Sequence, residues 1–316
     1  MQRGCRLSIV VASGFLAANI ACAAELPRMP DGTPDLQGIW TGGTLTPFER
    51  PAQLGTQLPE SAREEAQRTA TEKFWAAGHK PGEVGRDNDA FIDQDLKILP
   101  DGQTSLVVEP ADGKVPLRPE AAQRRDFNQS SFDSYETMSQ WDRCITREPT
   151  TMFPVVYNNA YQIVQTPGYV LIVAEMIHDA RIIPMGRSGA QHADSRVRSW
   201  GGDSRGHWEG KTLVVDTTNF NARGWIATGG NSGALRGVPY SEQLHIVERF
   251  TPIDRATMAY EITIEDPANY TAPWKIAYPL ARDDKYQMFE YACHEGNRAI
   301  ELILGGARAQ EQAAAR

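Results

Sequence analysis

The chain has 316 residues, 41% of them hydrophobic, with seven Trp and a formal net charge of −8. That hydrophobic content supports a sizeable core. The acidic balance, with no Lys/Arg block and no heptad run, excludes nucleic acid and anionic membrane surfaces as main partners, since both are held by basic patches.

Residues 1–24 have the make-up of an export signal. Arg3 and Arg6 supply positive charge, Leu7 to Ile20 is an apolar run, and Ala21-Cys22-Ala23-Ala24 offers small residues for cleavage near Ala23 or Ala24. The run is shorter than the ~20 residues of a membrane span, so the mature chain is expected to be periplasmic or secreted and not an integral membrane protein. Cys22 raises lipid attachment as the alternative, although Asn19 stands where such signals usually carry Leu.

From Glu25 to about Phe153 the chain is rich in turns, punctuated by Pro47, Pro51, Pro59, Pro81, Pro100, Pro110, Pro116 and Pro119. One amphipathic helix is predicted from Pro59 to Gly78, with Ser61 as its cap. Short strands are predicted at Gly38 to Trp40 and Thr104 to Val108. Residues 25–153 read as an irregular wrap packed on the remainder.

Regularly spaced strands follow. Tyr161 to Val164 and Tyr169 to Val173 are joined by the Thr166-Pro167-Gly168 turn, and Ile182-Ile183-Pro184 starts a third. Gly206 to Lys211 leads into Thr212 to Thr218; then come Leu244 to Thr251, Thr257 to Glu265, Ala272 to Pro279 and Tyr286 to Cys293. Met258, Tyr260, Ile262 and Ile264 alternate with Thr257, Glu261, Thr263 and Glu265, the pattern of an antiparallel sheet with one buried face. The fold class is therefore all-β, an antiparallel up-and-down barrel or a sandwich over residues 154–308. A short helix is expected after Asn297, and residues 309–316 read as a disordered tail. Two Gly/Ser/Arg-rich loops, 187–208 and 221–242, are long enough to act as binding loops or lids. Trp200 and Trp225 in them are each either pinned to the rim or offered to a ligand.

With the signal removed, two cysteines remain, Cys144 and Cys293. An exported pair reads as a disulfide; the alternative is a thiol nucleophile at Cys293 beside His294.

Two knots of ionisable residues stand at strand ends: Glu175 to Arg181, and Glu290 to Glu295. In the first, Glu175 would orient His178 as a general base, with Arg181 or Tyr157 stabilising negative charge. Against that stands a plain surface turn in which Asp179 pairs with Arg181 and His178 is solvated. In Leu244 to Phe250, the odd spacing puts His245 and Glu248 on opposite faces. Glu248 falls with Leu244, Ile246 and Phe250, where an acid must pair with a core Arg or line a cavity. His294 serves either as a cap beside the disulfide, with Arg143 near it, or as a catalytic residue. His178, His245 and His294 together would suit zinc or iron, but no His-x-His or His-Glu-x-x-His spacing supports a metal, and no cofactor is expected. His79, His192 and His207 read as solvated. There is no Gly-x-Ser-x-Gly elbow and no nucleotide-binding glycine motif after a strand.

Four segments carry a resemblance: Pro34 to Trp40, Ile177 to Pro184, Trp208 to Phe220 and Tyr291 to Asn297. They resemble a large group of exported bacterial proteins of no assigned activity, across nearly the whole mature chain. Gly38-Ile39-Trp40 is also similar to the Gly-x-Trp opening the first strand of lipocalin-like barrels, which implies a late Arg stacked on the Trp; Arg308 is the expected residue.

The leading functional expectation is a cofactor-independent exported enzyme of lyase, isomerase or hydratase type, moving protons on an apolar or aromatic small molecule in a barrel cavity. Its catalytic residues would be His178, Glu175, Arg181, Glu248, His294 and Tyr157, with Trp200, Trp225 and His245 binding substrate. The alternatives are a carrier barrel for a hydrophobic ligand and a structural envelope protein.

Overall fold

The computed structural model describes residues 26–76, 93, 96–147, 149, 152–155, 157–226 and 237–316. The signal-like segment, Cys22 and His79 lie outside them.

Twelve strands form among the described residues: β1 Gly38–Thr41, β2 Val107–Glu109, β3 Ala160–Thr166, β4 Tyr169–Ala174, β5 Ala180–Pro184, β6 Asp203–Glu209, β7 Thr212–Thr218, β8 Trp225–Ile226, β9 Val238–Pro239, β10 His245–Pro252, β11 Thr257–Glu265 and β12 Trp274–Arg282. Turn chemistry sets the tight hairpins. Pro167 fixes its own φ and Gly168 takes φ +81° between β3 and β4; Gly210 takes φ +59° between β6 and β7.

Strands β5-β4-β3-β1-β12-β11-β10-β7-β6 run side by side, and β2 adds to β12. Every pairing within this sheet is antiparallel. The ends approach through a parallel bridge between Met185 and Gly206, and Gly186 N donates to Gly206 O at 2.8 Å. The result is a nearly closed barrel-like sheet, as the strand periodicity predicts. A Cβ on Gly206 would lie 2.5 Å from Met185 Sδ and 2.9 Å from Ile183 Cγ2, so any side chain here would force these neighbours to shift.

Alternation decides which side chains enter. Along β10, Ile246, Glu248, Phe250 and Pro252 are buried and the residues between them are not; β11 and β12 repeat the rule. Aromatic rings pack the interior: Phe250 stacks on Tyr260 at 4.7 Å between centroids, and Tyr260 meets Tyr278 edge-on at 5.4 Å. Burial of rings this large is the main stabilising term of the barrel.

The N-terminal region is less of a wrap than its sequence suggests, because it supplies β1 and β2 to the sheet. Trp40 on β1 is buried, with Nε1 donating to Leu36 O at 2.8 Å. The cation over its ring is Arg282 at the end of β12, 5.9 Å from the centroid, and not Arg308. Arg308 sits instead on the C-terminal helix, paired with Glu311 and Asp133. The antiparallel register explains the difference, since it sets Trp40 directly opposite Arg282.

Three α-helices are seen among the described residues: α1 Glu60–Ala76, α2 Pro119–Ser130 and α3 Ala299–Ala314. Ser61 lies inside α1 rather than capping it, and residues 77 and 78 are outside the described set. Helix α2 was not expected; Pro119, read as punctuation, sits at the helix start where a missing N–H costs nothing. Helix α3 runs on to Ala314, so most of the expected tail is ordered. The expected strand over Tyr286 to Cys293 does not form. The Phe289 N–H goes to the Glu175 carboxylate at 2.8 Å instead of to a sheet partner.

Candidate functional site

The ionisable residues singled out by the sequence separate into three groups.

The first is sealed inside the barrel. Arg181 on β5 points inward and forms an ion pair with Glu248 on β10, the two side chains being 5% and 0% exposed. Arg181 also donates from Nε to Ser204 Oγ at 3.1 Å and from Nη2 to Thr217 Oγ1 at 2.8 Å. Tyr260 Oη donates to Glu248 Oε1 at 2.5 Å. Burial first, and the Glu248 charge second, push the Tyr260 pKa well above its ordinary value. Arg181 therefore does not pair with Asp179 on a surface turn; Asp179 instead accepts a hydrogen bond from Thr146 Oγ1. Of the two readings of Glu248, pairing with a core Arg is what the geometry shows.

The second group crosses the outer face of the sheet. His192 contacts Asp203 Oδ2 through Nδ1 at 2.9 Å and Asp216 Oδ1 through Nε2 at 2.8 Å. His245 contacts Asp216 Oδ2 through Nε2 at 3.0 Å, and its Nδ1 lies 3.7 Å from Glu265 Oε2. Carboxylates and imidazoles thus alternate from Asp203 to Glu265 across β6, β7, β10 and β11. His192 is therefore engaged rather than solvated, and His207 contacts Glu209 Oε1 at 3.2 Å with a side chain only 12% exposed. His192 lies in the loop before β6 and reaches acids on β6 and β7, while His207 meets Glu209 two residues on along its own strand.

The Asp216 hydrogen bond raises the His245 pKa above 6.5, against the opposing effect of burial. For Asp216, burial acts upward, but the hydrogen bonds and charges of His245 and His192 outweigh it and leave the pKa below 3.8. Stability from His245 is fully present below its unfolded pKa and is lost as pH rises through its folded one. Stability from Asp216 is present above its unfolded pKa and is lost as pH falls through its folded one. The pair is strongest between roughly pH 4 and 6.5. The melting temperature is therefore expected to fall more steeply above pH 6.5 in the native chain than in His245→Asn; parallel curves from pH 5 to 9 would contradict the assignment.

The third group is where the two sequence knots meet. Cys144 and Cys293 form a disulfide with Cα atoms 5.6 Å apart. Beside it, Glu175 is buried and accepts from Tyr286 Oη at 2.9 Å and from Phe289 N. Burial first, then the hydrogen bond to Glu175, raises the Tyr286 pKa. His178 Nδ1 lies 3.0 Å from Tyr291 O. These contacts fasten residues 286–291 against the turn after β4. That turn is strained: Ile177 and His178 take φ +64° and +43°, which a β-branched residue adopts rarely and which concentrates at functional sites.

A cleft of about 530 Å³ opens there, lined by Trp141, Tyr157, Tyr291, Asp142, Glu290 and Glu295 among others. Tyr157 stacks on Tyr291 and is tilted against Trp141, both at 6.2 Å between centroids. Trp141, Val155, Tyr157, Met176 and Ile177 form a small satellite core beneath it. The adjoining cleft, about 460 Å³, shares Asp142 and Asn297 and adds Arg143, His294, Arg298 and Glu301. The Arg143 guanidinium sits 5.3 Å above the Trp200 ring, so Trp200 supports this rim. Trp225 is buried, its N–H and C=O both bound by the Gln140 side chain at 2.9 and 2.7 Å.

The structure therefore brings Glu175, His178, Tyr157, His294 and the disulfide to one end of the barrel. It leaves Arg181 and Glu248 inside, and His245 on the outer face. Trp141 and Asp142 are missed by the sequence reading; their signal is that they lead into Cys144, whose disulfide partner Cys293 lies within the second ionic knot. Among the described residues, no group of three His, Cys, Asp or Glu side chains is placed to hold a metal ion, and no helix is long and apolar enough to cross a membrane. His245 is committed to Asp216, away from the end where His178 contacts Tyr291. No family model, no curated protein and no solved structure matches the chain.

Proposed function

We propose that this is an exported barrel protein that binds a small aromatic or apolar molecule in the cleft beside the Cys144–Cys293 disulfide, not inside the barrel. The observation that carries this reading is the wall of three rings, Trp141, Tyr157 and Tyr291, on one cleft of about 530 Å³. That volume falls within the ~300–1,000 Å³ of small-molecule sites, and such sites favour aromatic linings. The barrel interior is a poor alternative because rings and the Arg181–Glu248 pair pack it. Export agrees with a disulfide, which persists in oxidising compartments. Fluorescence titration with indole is expected to give saturable binding, weakened about fivefold in Tyr291→Leu, the scale of one lost ring contact of ~1 kcal/mol. Equal affinity in the variant would contradict the cleft.

A second reading, acid–base catalysis of lyase or isomerase type, is favoured by His294 standing near Arg143 in the adjoining cleft. His294 would take the proton and Arg143 would stabilise the negative charge. In this reading Glu175 and His178 are positioning residues, holding the segment that carries Tyr291.

A further inference from the structure

We infer that the ligand of the disulfide cleft is an organic cation, an aromatic amine or quaternary ammonium compound; the inference rests on the binding reading above. Three observations point the same way. The walls carry the rings of Trp141, Tyr157 and Tyr291, and an aromatic ring attracts a cation held within about 6 Å of it. The charged groups beside them are the carboxylates of Asp142, Glu290 and Glu295, and among the described residues no Lys, Arg or His lines this cleft. Asp142 is held by Ser139 Oγ at 2.7 Å, whereas Glu290 and Glu295 are exposed and make no ion pair among the described residues.

The nearest cations are already engaged. Arg147 lies 5.0 Å from the Trp141 ring centre, is buried, and donates to Phe153 O at 3.2 Å. Arg298 pairs with Glu301 at 2.6 Å, and Arg143 lies over Trp200. Arg143, Arg298 and His294 are grouped in the adjoining cleft, beyond the shared Asp142 and Asn297. An anion would face three carboxylates. A neutral ring would gain the wall and nothing from the acids. Only a cation uses both.

The test is calorimetric titration of the full mature chain with three soluble benzyl compounds: benzyltrimethylammonium, benzyl alcohol and benzoate. The cation is expected to bind about tenfold tighter than the alcohol, with benzoate weakest. Raising the salt from 20 to 500 mM should weaken only the cation, because Glu290 and Glu295 are exposed and screened. Glu290→Gln with Glu295→Gln should shrink the preference for cation over alcohol several-fold. Both residues are exposed, so the variant's melting temperature serves as a check that folding is retained. Equal binding of all three compounds would overturn the cation inference and leave the binding reading standing. Tightest binding of benzoate would overturn it in favour of the Arg143–His294–Arg298 side. Binding of none would sink both.

Discussion

Arg181→Met is expected to destabilise the folded chain by about 3–5 kcal/mol, the cost of leaving one member of a buried ion pair without its partner. Glu248 is fully buried, and its compensation among the described residues is the Arg181 cation and the Tyr260 hydroxyl. Truncating Arg181 also strips hydrogen bonds from Ser204 and Thr217. Replacing the whole network behaves differently. Arg181→Met with Glu248→Leu and Tyr260→Phe removes both charges and the hydroxyl that would lose its acceptor, so stability should return to within ~2 kcal/mol of the native chain. Denaturant unfolding measures both. A single variant as stable as the native chain would mean that this pair is not desolvated. If the triple variant also keeps ligand binding, the pair's role is confined to the core.

Replacing Cys144 and Cys293 by Ser has an effect of similar size. The bond spans 149 residues of sequence, and releasing that loop costs on the order of 5 kcal/mol on the chain-entropy model, an upper figure. Structure adds a local consequence. Trp141 stands three residues before Cys144 and Tyr291 two before Cys293, so the bond ties together the two segments that carry these rings. The double variant is therefore expected to lose cleft binding even at temperatures where the barrel stays folded. Near-ultraviolet circular dichroism would follow the barrel aromatics while titration follows the cleft. Native affinity in the folded double variant would show that the walls are held without the bond.

Much of the barrel was legible because period-two alternation reports burial directly. In Met258, Tyr260, Ile262 and Ile264 the inward face can be read by eye, and Glu248 among Leu244, Ile246 and Phe250 announces a buried partner. Which partner is a matter of register between distant strands: Arg181 and Glu248 are 67 positions apart, and nothing local selects one from the other. The same limit hid the His192–Asp216–His245 chain, whose members come from a loop and two strands. Segment 286–293 alternates like a strand, yet its Phe289 N–H is taken by the Glu175 carboxylate, a contact set by tertiary packing. Arg308 gave way to Arg282 because pairing of β1 with β12 decides which cation meets Trp40. At the cleft, the two ionic knots and the cysteine pair were readable; the ring wall was not, because Trp141, Tyr157 and Tyr291 belong to three separate stretches.

Tryptophan indole 15N–1H spectra recorded during titration with benzyltrimethylammonium test the central claim most directly. Trp141 lines the cleft, while Trp40 and Trp274 are buried in the barrel core. The account predicts that the Trp141 resonance shifts in a saturable way while those of Trp40 and Trp274 stay in place. Saturable shifts at Trp40 or Trp274 with Trp141 unmoved would put the ligand inside the barrel and contradict it.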